Sequence, residues 1–498
     1  VSARARTELS KWPWTFDESN EPTQRVIESS VRKKETDVKW FEYSRLARPK
    51  FKVRHSVVLP EIATHNHALV EEGAAIFHQT IPVIKLASSA KASDYNVVAG
   101  LLNSSAALCF LKQVCFNKGA GEDEHRDRFV YAGGKVEMLP VPQTIDEALR
   151  GKSNSISEKL TVLSLACWQR GHELSIVALR KLFEKSGEAY YAWNAALPEH
   201  VGPHAELGTA FRTTAELQER FARAVSLREQ LRGEMVARQE EMDWLVYVAY
   251  ELLASDHPAA QIEVEPRPLD QAQRPFRLWE SAGGDFAKAV GLIPAIWPKP
   301  RRALWESRLA AIRDNEHVRR IEQPVYKRRW DEQWKVSNRW MAGPVAYAQE
   351  FVEAFRWWLA EKAEWHLEHK AHGGPIDLAA WTIALWKEAR IQVAWPVVAE
   401  ALDQVAQFKF EQSEDKEAKK KPKIEASYES FAKFLKETVT DESVPDAIPP
   451  AVPWDDLAAK KKWTPAQLKK AQAVRGKLNV PRERFRQTEE GDFTWAGM

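Results

Sequence analysis

Residues 214–254 read TAELQERFARAVSLREQLRGEMVARQEEMDWLVYVAYELLA. Leu217, Phe221, Ala224, Leu227, Leu231, Met235, Met242, Val246 and Ala249 recur at spacings of three, four or seven, which predicts one long helix with one apolar stripe. Thr213 and Glu216 make a capping box at its start. At ~1.5 Å per residue the helix would run about 60 Å. That length suits a strut between lobes better than an element inside one small core.

The sequence changes character on either side of this strut. Upstream, Val53–Leu59 and Ala74–Leu86 are rich in β-branched and aromatic residues and read as strands, with Pro82 marking an edge or bulge. Tyr95–Leu102 and Ala106–Phe116 have helical spacing around an Asn103-Ser104-Ser105 turn, and Phe129–Leu139 reads as a closing strand before Pro140-Val-Pro142. After Pro142 helical patterns dominate, over Lys159–Ser186, Pro300–Asn315, Pro344–Glu368, Leu378–Phe408 and Tyr428–Val439. The expected fold is mainly α with a small N-terminal α/β domain over 1–145. A helical region over 146–256, a Trp-rich helical domain over 257–410, a flexible linker over 411–425 and a small basic C-terminal segment over 426–498 follow. No period of 20 to 50 residues repeats, which argues against a solenoid.

At 498 residues the chain is long enough for roughly three domains of ~100 to 200 residues. Hydrophobic residues at 44% and charged residues at 29% exclude wholesale disorder. Lys plus Arg number 72 against 70 Asp plus Glu, so any basic surface must be local. Such a patch lies at 25–54, where ten Lys/Arg face four acids. Three cysteines are too few for a disulfide framework and point to a reducing, cytoplasmic setting. No apolar run reaches the ~18 to 20 residues of a membrane span, and no membrane partner is expected. The chain begins at Val1 rather than at Met, which suggests a processed or excised piece.

Few residues carry recognisable chemistry. In Arg45-Leu-Ala-Arg48-Pro-Lys50-Phe-Lys52-Val-Arg54 cations alternate with apolar residues, which on an extended segment gives a charged row able to meet phosphates, or else a plain solvated face. His65-Asn66-His67 would put two imidazoles on one face of a strand, but no further ligand stands at metal spacing, so no metal site is expected. Cys109 and Cys115, among Leu108, Phe110, Leu111 and Val114, read as core thiols. Gly119-Ala-Gly121 follows an expected helix and precedes Glu122-Asp-Glu124, so it reads as a flexible loop rather than a phosphate cradle. The tryptophans of 279–395 could stack bases, but Trp357, Trp358, Trp365, Trp381 and Trp386 fall within apolar-periodic helices and the cluster reads as core. The stretch 411–423, EQSEDKEAKKKPK, has one small apolar residue and reads as a mobile connector.

Several blocks carry a resemblance. Ala99-Gly-Leu-Leu-Asn-Ser-Ser105, the closing Leu139-Pro-Val-Pro142 and the Asp243-x-x-Val246-Tyr247-x-x-Tyr250 pattern resemble the target-recognition region of N6-adenine DNA methyltransferases of the type IIG restriction-modification kind. His65-Asn-His67, Pro82–Leu86, Gln113–Gly119, Ile321–Trp330 and Arg475–Phe485 are similar to the C-terminal half of the adenine methyltransferases of BREX phage-defence systems, in their phage-growth-limitation branch. The family's catalytic tetrad, [DNS]-P-P-[YFW], is not matched: the sole Pro-Pro is Ile448-Pro-Pro-Ala451. The resemblance therefore implies a DNA-specificity portion that binds double-stranded DNA, with the catalytic domain and its S-adenosylmethionine upstream and no cofactor held by this chain. It implies phosphate contacts from Arg45, Arg48, Lys50, Lys52 and Arg54, and base or loop contacts from His65, Asn66, His67, Asn117 and Lys118. Other BREX proteins or phage inhibitors are further expected partners. The rival expectation is a non-enzymatic helical scaffold that binds defence-system partners.

Overall fold

The computed structural model describes residues 55–72, 81–87, 89–119, 127–176, 179, 181–184, 211–328, 330, 334–336, 339–370, 375–412, 423–440, 464–467, 485–487 and 493–495. The basic row at 45–54, the loop after Gly119 and the central part of the 411–423 connector lie outside the described residues. Taken in chain order, the elements are strands β1 (His55–Val58), β2 (Ile62–Ala63), β3 (Leu69–Glu72) and β4 (Val83–Ile84), then helices α1 (Ala92–Leu102) and α2 (Ser105–Val114). Strands β5 (Phe116–Gly119) and β6 (Arg128–Val130) and helices α3 (Gly133–Val136), α4 (Gln143–Leu149), α5 (Ser155–Ile176), α6 (Lys181–Glu184) and α7 (Thr214–Ala249) follow. Next come α8 (Pro275–Ser281), α9 (Phe286–Gly291), α10 (Lys299–Asp314) and α11 (Glu316–Ile321), then the strands β7 (Trp334–Val336) and β8 (Arg339–Met341). Helices α12 (Gly343–His369), α13 (Leu378–Trp386), α14 (Ala389–Glu411) and α15 (Tyr428–Thr440) and strands β9 (Phe485–Gln487) and β10 (Phe493–Trp495) end the series. The chain is mainly helical, with small antiparallel sheets near its N-terminus.

Two compact units divide the chain: Val1–Gln169 with Val236–Arg328, and Arg170–Met235 with Arg329–Met498. Helix α7 contributes its last turns to the first and its earlier turns to the second. It is one continuous helix of 36 residues, started by the expected box: Thr213 Oγ1 accepts from the Glu216 N–H at 3.2 Å, and the Glu216 carboxylate accepts from the Arg212 N–H at 2.8 Å. It stops at Ala249, before the expected Ala254, because Glu251 takes a left-handed backbone with φ 58° and the Leu252 N–H turns back to the Tyr247 carbonyl at 2.9 Å.

In the first unit the sheets run β3-β1-β4 and β2-β6-β5, all antiparallel, with β4 as the edge that Pro82 predicts. Val57 and Val70 face the core with α1 and α2 behind them. Gly100 of α1 is required by packing: a Cβ there would stand 2.7 Å from Leu160 Cδ1, and Leu160 is fully buried. Two expectations fail locally. The strand expected over 129–139 ends at Val130, where Gly133-Gly134 leave the ladder and open the short α3. The helix expected to reach Phe116 ends at Val114, since Cys115 is extended and 116–119 pair with β6 instead. The second unit is built on α12 packed against α14, with α15 covering both α12 and α13. The helix expected over 378–408 is two, interrupted at Lys387-Glu388.

Candidate nucleic-acid interface and the ion cluster behind it

Of the blocks that carry the resemblance, His65–His67, Ala99–Ser105, Asp243–Tyr250 and Ile321–Arg328 meet in the first unit, held together by the C-terminal turns of α7, while 475–484 lie outside the described residues. At the 66° bend between α1 and α2, Ser104 caps α2 by accepting from the Ala107 N–H at 3.2 Å. Asp243 then reinforces that helix start, its two carboxylate oxygens accepting from the Ser105 N–H at 2.7 Å and the Ser105 hydroxyl at 2.8 Å. One turn on, the Tyr247 hydroxyl donates to Glu322 at 2.6 Å, and a further turn on the Tyr250 hydroxyl donates to the Pro140 carbonyl at 2.7 Å. Each polar member of Asp243-x-x-Val-Tyr-x-x-Tyr250 thus fastens a different segment, while Val246 is fully buried in the core.

Around Asp243 lies a cluster of ions that the apolar stripe gave no reason to expect. Lys327 is fully buried and reaches Glu322 at 2.7 Å, Asp243 at 2.8 Å and Glu240 at 3.4 Å. Arg274 donates to Glu240 at 2.7 Å, and Arg308 grips Glu241 with two bonds of 2.8 and 2.7 Å while lying 5.2 Å from the Trp244 ring centre. Burial works against every charge here, and the pairs decide the outcome. It pushes the Glu240 carboxyl up, but Lys327, Arg274 and Arg308 outweigh it and hold that group well below the usual range. It prevails at Glu241 and Glu322, which are raised despite Arg308 and Lys327, whereas three carboxylates outweigh it at Lys327, whose ammonium is kept protonated. The visible signal was the run Arg238-Gln-Glu-Glu-Met-Asp243, which places charges all round the helix just where its core contact continues.

His65-Asn66-His67 is not strand but the loop between β2 and β3. Asn66 is buried, and its amide donates to the carbonyls of Leu102 and, at 3.1 Å, Ser104. Asn103 exchanges bonds with the Ala68 backbone at 2.8 and 2.9 Å. Arg328 completes the junction, donating to the Asn66 carbonyl at 2.6 Å and to Asn103 Oδ1 at 3.1 Å. His65 is buried beside Thr64, while His67 is exposed at the loop's surface. Partial desolvation of the ring and the Arg328 charge lower the His67 imidazole from its ordinary value, and burial with Lys112 and Arg328 holds His65 well below its own. Both rings are neutral at pH 7. A neutral imidazole offers one donor and one acceptor, the equipment of a base-edge contact rather than of a phosphate contact.

Asn117 and Lys118 lie exposed on edge strand β5. The Asn117 amide donates to Asp127 at 2.9 Å and its carbonyl oxygen accepts from the Gly119 N–H at 2.7 Å, fixing the side chain within reach of solvent. Gly119, with φ 66°, ends a strand rather than following a helix as expected, and the next described strand, β6, pairs back antiparallel. Cys109 and Cys115 are buried, and burial raises both thiols, as core cysteines require. No cluster of metal-ligating side chains occurs among the described residues. Trp358, Trp381 and Trp395 of the second unit are likewise core and fully buried.

Compared with known proteins, the chain is 25% identical over 505 residues to the adenine-specific methyltransferase PglX of Streptomyces coelicolor, an alignment that takes in 90% of this chain. The chain is a distant relative of PglX. It spans about a third of that protein's length, 35%. No family model and no solved structure matches it.

Proposed function

We propose that the chain is the DNA-specificity portion of a site-specific adenine-N6 DNA methyltransferase of BREX phage defence, working in the cytoplasm with a catalytic domain held elsewhere in a longer protein. The observation that carries this reading is that four of the blocks carrying the resemblance meet at one junction, where Arg328 and Asn103 hold the loop 64–68 from behind and Asp243 fixes the adjoining Ser105. Loop residues held by buried polar partners present their exposed members in one geometry, which base readout needs. His67, Asn117 and Lys118 are then the groups that meet base edges, and His65 and Asn66 are the inward anchors of the same loop. Arg45, Arg48, Lys50, Lys52 and Arg54 supply the phosphate contacts that set register. S-adenosylmethionine and the methyl transfer belong to the catalytic domain, and other BREX proteins or phage inhibitors are the partners this reading adds to DNA.

The test is binding of the chain to a duplex selected from a random pool and to unselected duplexes, across a salt series. Alanine at Arg45, Arg48, Lys50, Lys52 or Arg54 should weaken binding equally on all sequences and lower the salt slope by roughly 0.9 for each phosphate no longer neutralised. His67→Ala and Asn117→Ala should instead change which sequence is preferred, by ~1 to 3 kcal/mol. Selection that returns no enriched sequence, with no binding at low salt, would reject the reading in favour of a helical scaffold.

A further inference from the structure

The segment between α9 and α10 is built unlike the rest of the surface. Ile296 is 92% exposed, the most exposed large apolar side chain among the described residues, and Leu292, four residues earlier, is 47% exposed. An apolar tip of this kind normally sinks or moves; this one is braced. Pro294 and Pro298 fix the backbone on either side of it, and the Trp297 N–H closes the turn onto the Pro294 carbonyl at 3.1 Å. The Trp297 ring is wedged edge-on against buried Trp305, centroids 5.2 Å apart, with the Arg301 guanidinium 4.2 Å over its face. Trp305 is in turn pinned by its indole N–H donating to the Gln273 carbonyl at 2.8 Å. Beneath the tip, Ile293 is buried.

The stretch that carries the tip is locally basic. Between Asp285 and Glu306 the sequence has Lys288, Lys299, Arg301 and Arg302 and no acidic residue, in a chain whose acids and bases otherwise nearly balance. Arg301 is turned inward, toward Glu263 and Glu241, but Lys288, Lys299 and Arg302 are exposed. The tip also sits at the start of the 16-residue α10, whose N-cap, Pro298, has no side chain to close off the first turn's N–H groups.

We infer that Leu292 and Ile296 form a rigid apolar wedge that enters a base step of duplex DNA, with Lys288, Lys299 and Arg302 on the flanking phosphates. This rests on the DNA-binding reading above and adds how the duplex is deformed. Apolar wedges of Leu, Ile or Pro between base steps unstack and kink a duplex, and flanking cations hold the backbone as the step opens. An unstacked step also favours extrusion of a neighbouring base, which a modifying domain acting on adenine requires. A lipid surface is the poorer match, because two side chains bury less apolar surface than one myristoyl chain, which by itself gives only marginal membrane binding.

The experiment uses the full chain with duplexes carrying 2-aminopurine at successive positions, and reads both affinity and fluorescence at saturation. The native chain should raise fluorescence several-fold at one or two positions. Ile296→Ala should lose most of that rise while weakening affinity no more than tenfold, with an unchanged Tm, since the side chain projects into solvent. Lys299→Ala and Arg302→Ala should weaken affinity and flatten the salt dependence yet keep the fluorescence rise at saturation. Tight DNA binding with no fluorescence rise, or a rise that Ile296→Ala leaves intact, overturns the wedge while leaving the DNA-binding reading standing. No DNA binding at all removes both. Co-sedimentation with phosphatidylserine vesicles that Ile296→Ala abolishes overturns the wedge in favour of a membrane contact.

Discussion

Each of the two units buries its own stretch of α7, the second with apolar side chains alone and the first with apolar side chains and ions together. In the second unit Leu217, Ala224 and Leu231 of α7 join Phe183, Phe351, Phe355, Trp358, Trp395 and Phe434, whose rings meet at centroid distances of 5.3 to 6.0 Å. In the first unit the same helix buries Glu240, Glu241 and Asp243 against Lys327, Arg274 and Arg308. Aromatic burial contributes stability with little directional demand. Buried ion pairs roughly break even against apolar packing, but each has one arrangement that satisfies it. The first unit thus uses its core to fix positions: its ions tie together segments far apart in sequence, and those are the segments that hold the loop carrying His67.

Removing the central cation should set the two units apart most visibly. Lys327→Met leaves Glu240, Asp243 and Glu322 buried without their shared ammonium and should cost ~3 to 5 kcal/mol. Trp395→Ala in the second unit should cost a similar ~3 to 5 kcal/mol through the cavity it opens. The two variants should differ in their dependence on acid. Urea unfolding at pH 7 and pH 5 should show the Lys327→Met penalty shrinking as the buried Glu322, left without a cation, takes up a proton, and the Trp395→Ala penalty staying constant. Equal behaviour would mean that the ion cluster carries no net charge interaction.

Acid itself gives the next effect. His65 is held neutral in the folded protein well below its ordinary value, so below pH ~6.5 the unfolded chain binds a proton that the folded chain refuses. Stability from this group is therefore complete above pH ~6.5 and falls as pH drops, by at most ~1.4 kcal/mol per pH unit. Glu240, held low, adds to the loss once pH falls through the carboxylate range. Unfolding of the native chain and of His65→Asn between pH 7.5 and 5 should show the variant's stability flatter with pH. An identical slope would place the acid sensitivity elsewhere.

How far the sequence reaches follows from which forces are periodic. The α7 stripe and its Thr213–Glu216 box were legible because helical burial and capping leave fixed spacings, and the helices at 299–314, 343–369 and 428–440 were legible for the same reason. The short β5 was hidden because Phe116 is exposed and its partner strand, β6, begins only at Arg128. The ion cluster was hidden for a deeper reason. Apart from Lys327 with Glu322, five residues apart, Lys327, Arg274 and Arg308 bond carboxylates at sequence separations of 34 to 87, and no local pattern encodes a pairing across such distances. At the candidate site, His67, Asn117 and Lys118 stand at the surface, where a group that reads bases must stand. Asn66 looks the same in sequence yet faces inward, because nothing local reveals that the Leu102 and Ser104 carbonyls need a donor.

The smallest expected effect tests whether the motif on α7 works as separate fasteners or as one unit. Tyr250→Phe removes only the hydroxyl that donates to the Pro140 carbonyl, a half-exposed bond at the end of the helix, and should cost ~0.5 to 1.5 kcal/mol. Water can replace the donor there, so no buried group is orphaned. Tyr247→Phe removes a donor from Glu322 inside the ion cluster, where both side chains are buried and no water substitutes. If the fasteners are independent, the double variant should cost the sum of the two within ~0.5 kcal/mol, because the hydroxyls share no partner. A double variant measurably milder or harsher than that sum would show that the Pro140 segment and the ion cluster move together. The helix end would then be a single clamp on the loop carrying His67, and its loosening should appear as weakened sequence preference in DNA binding before it appears as lost stability.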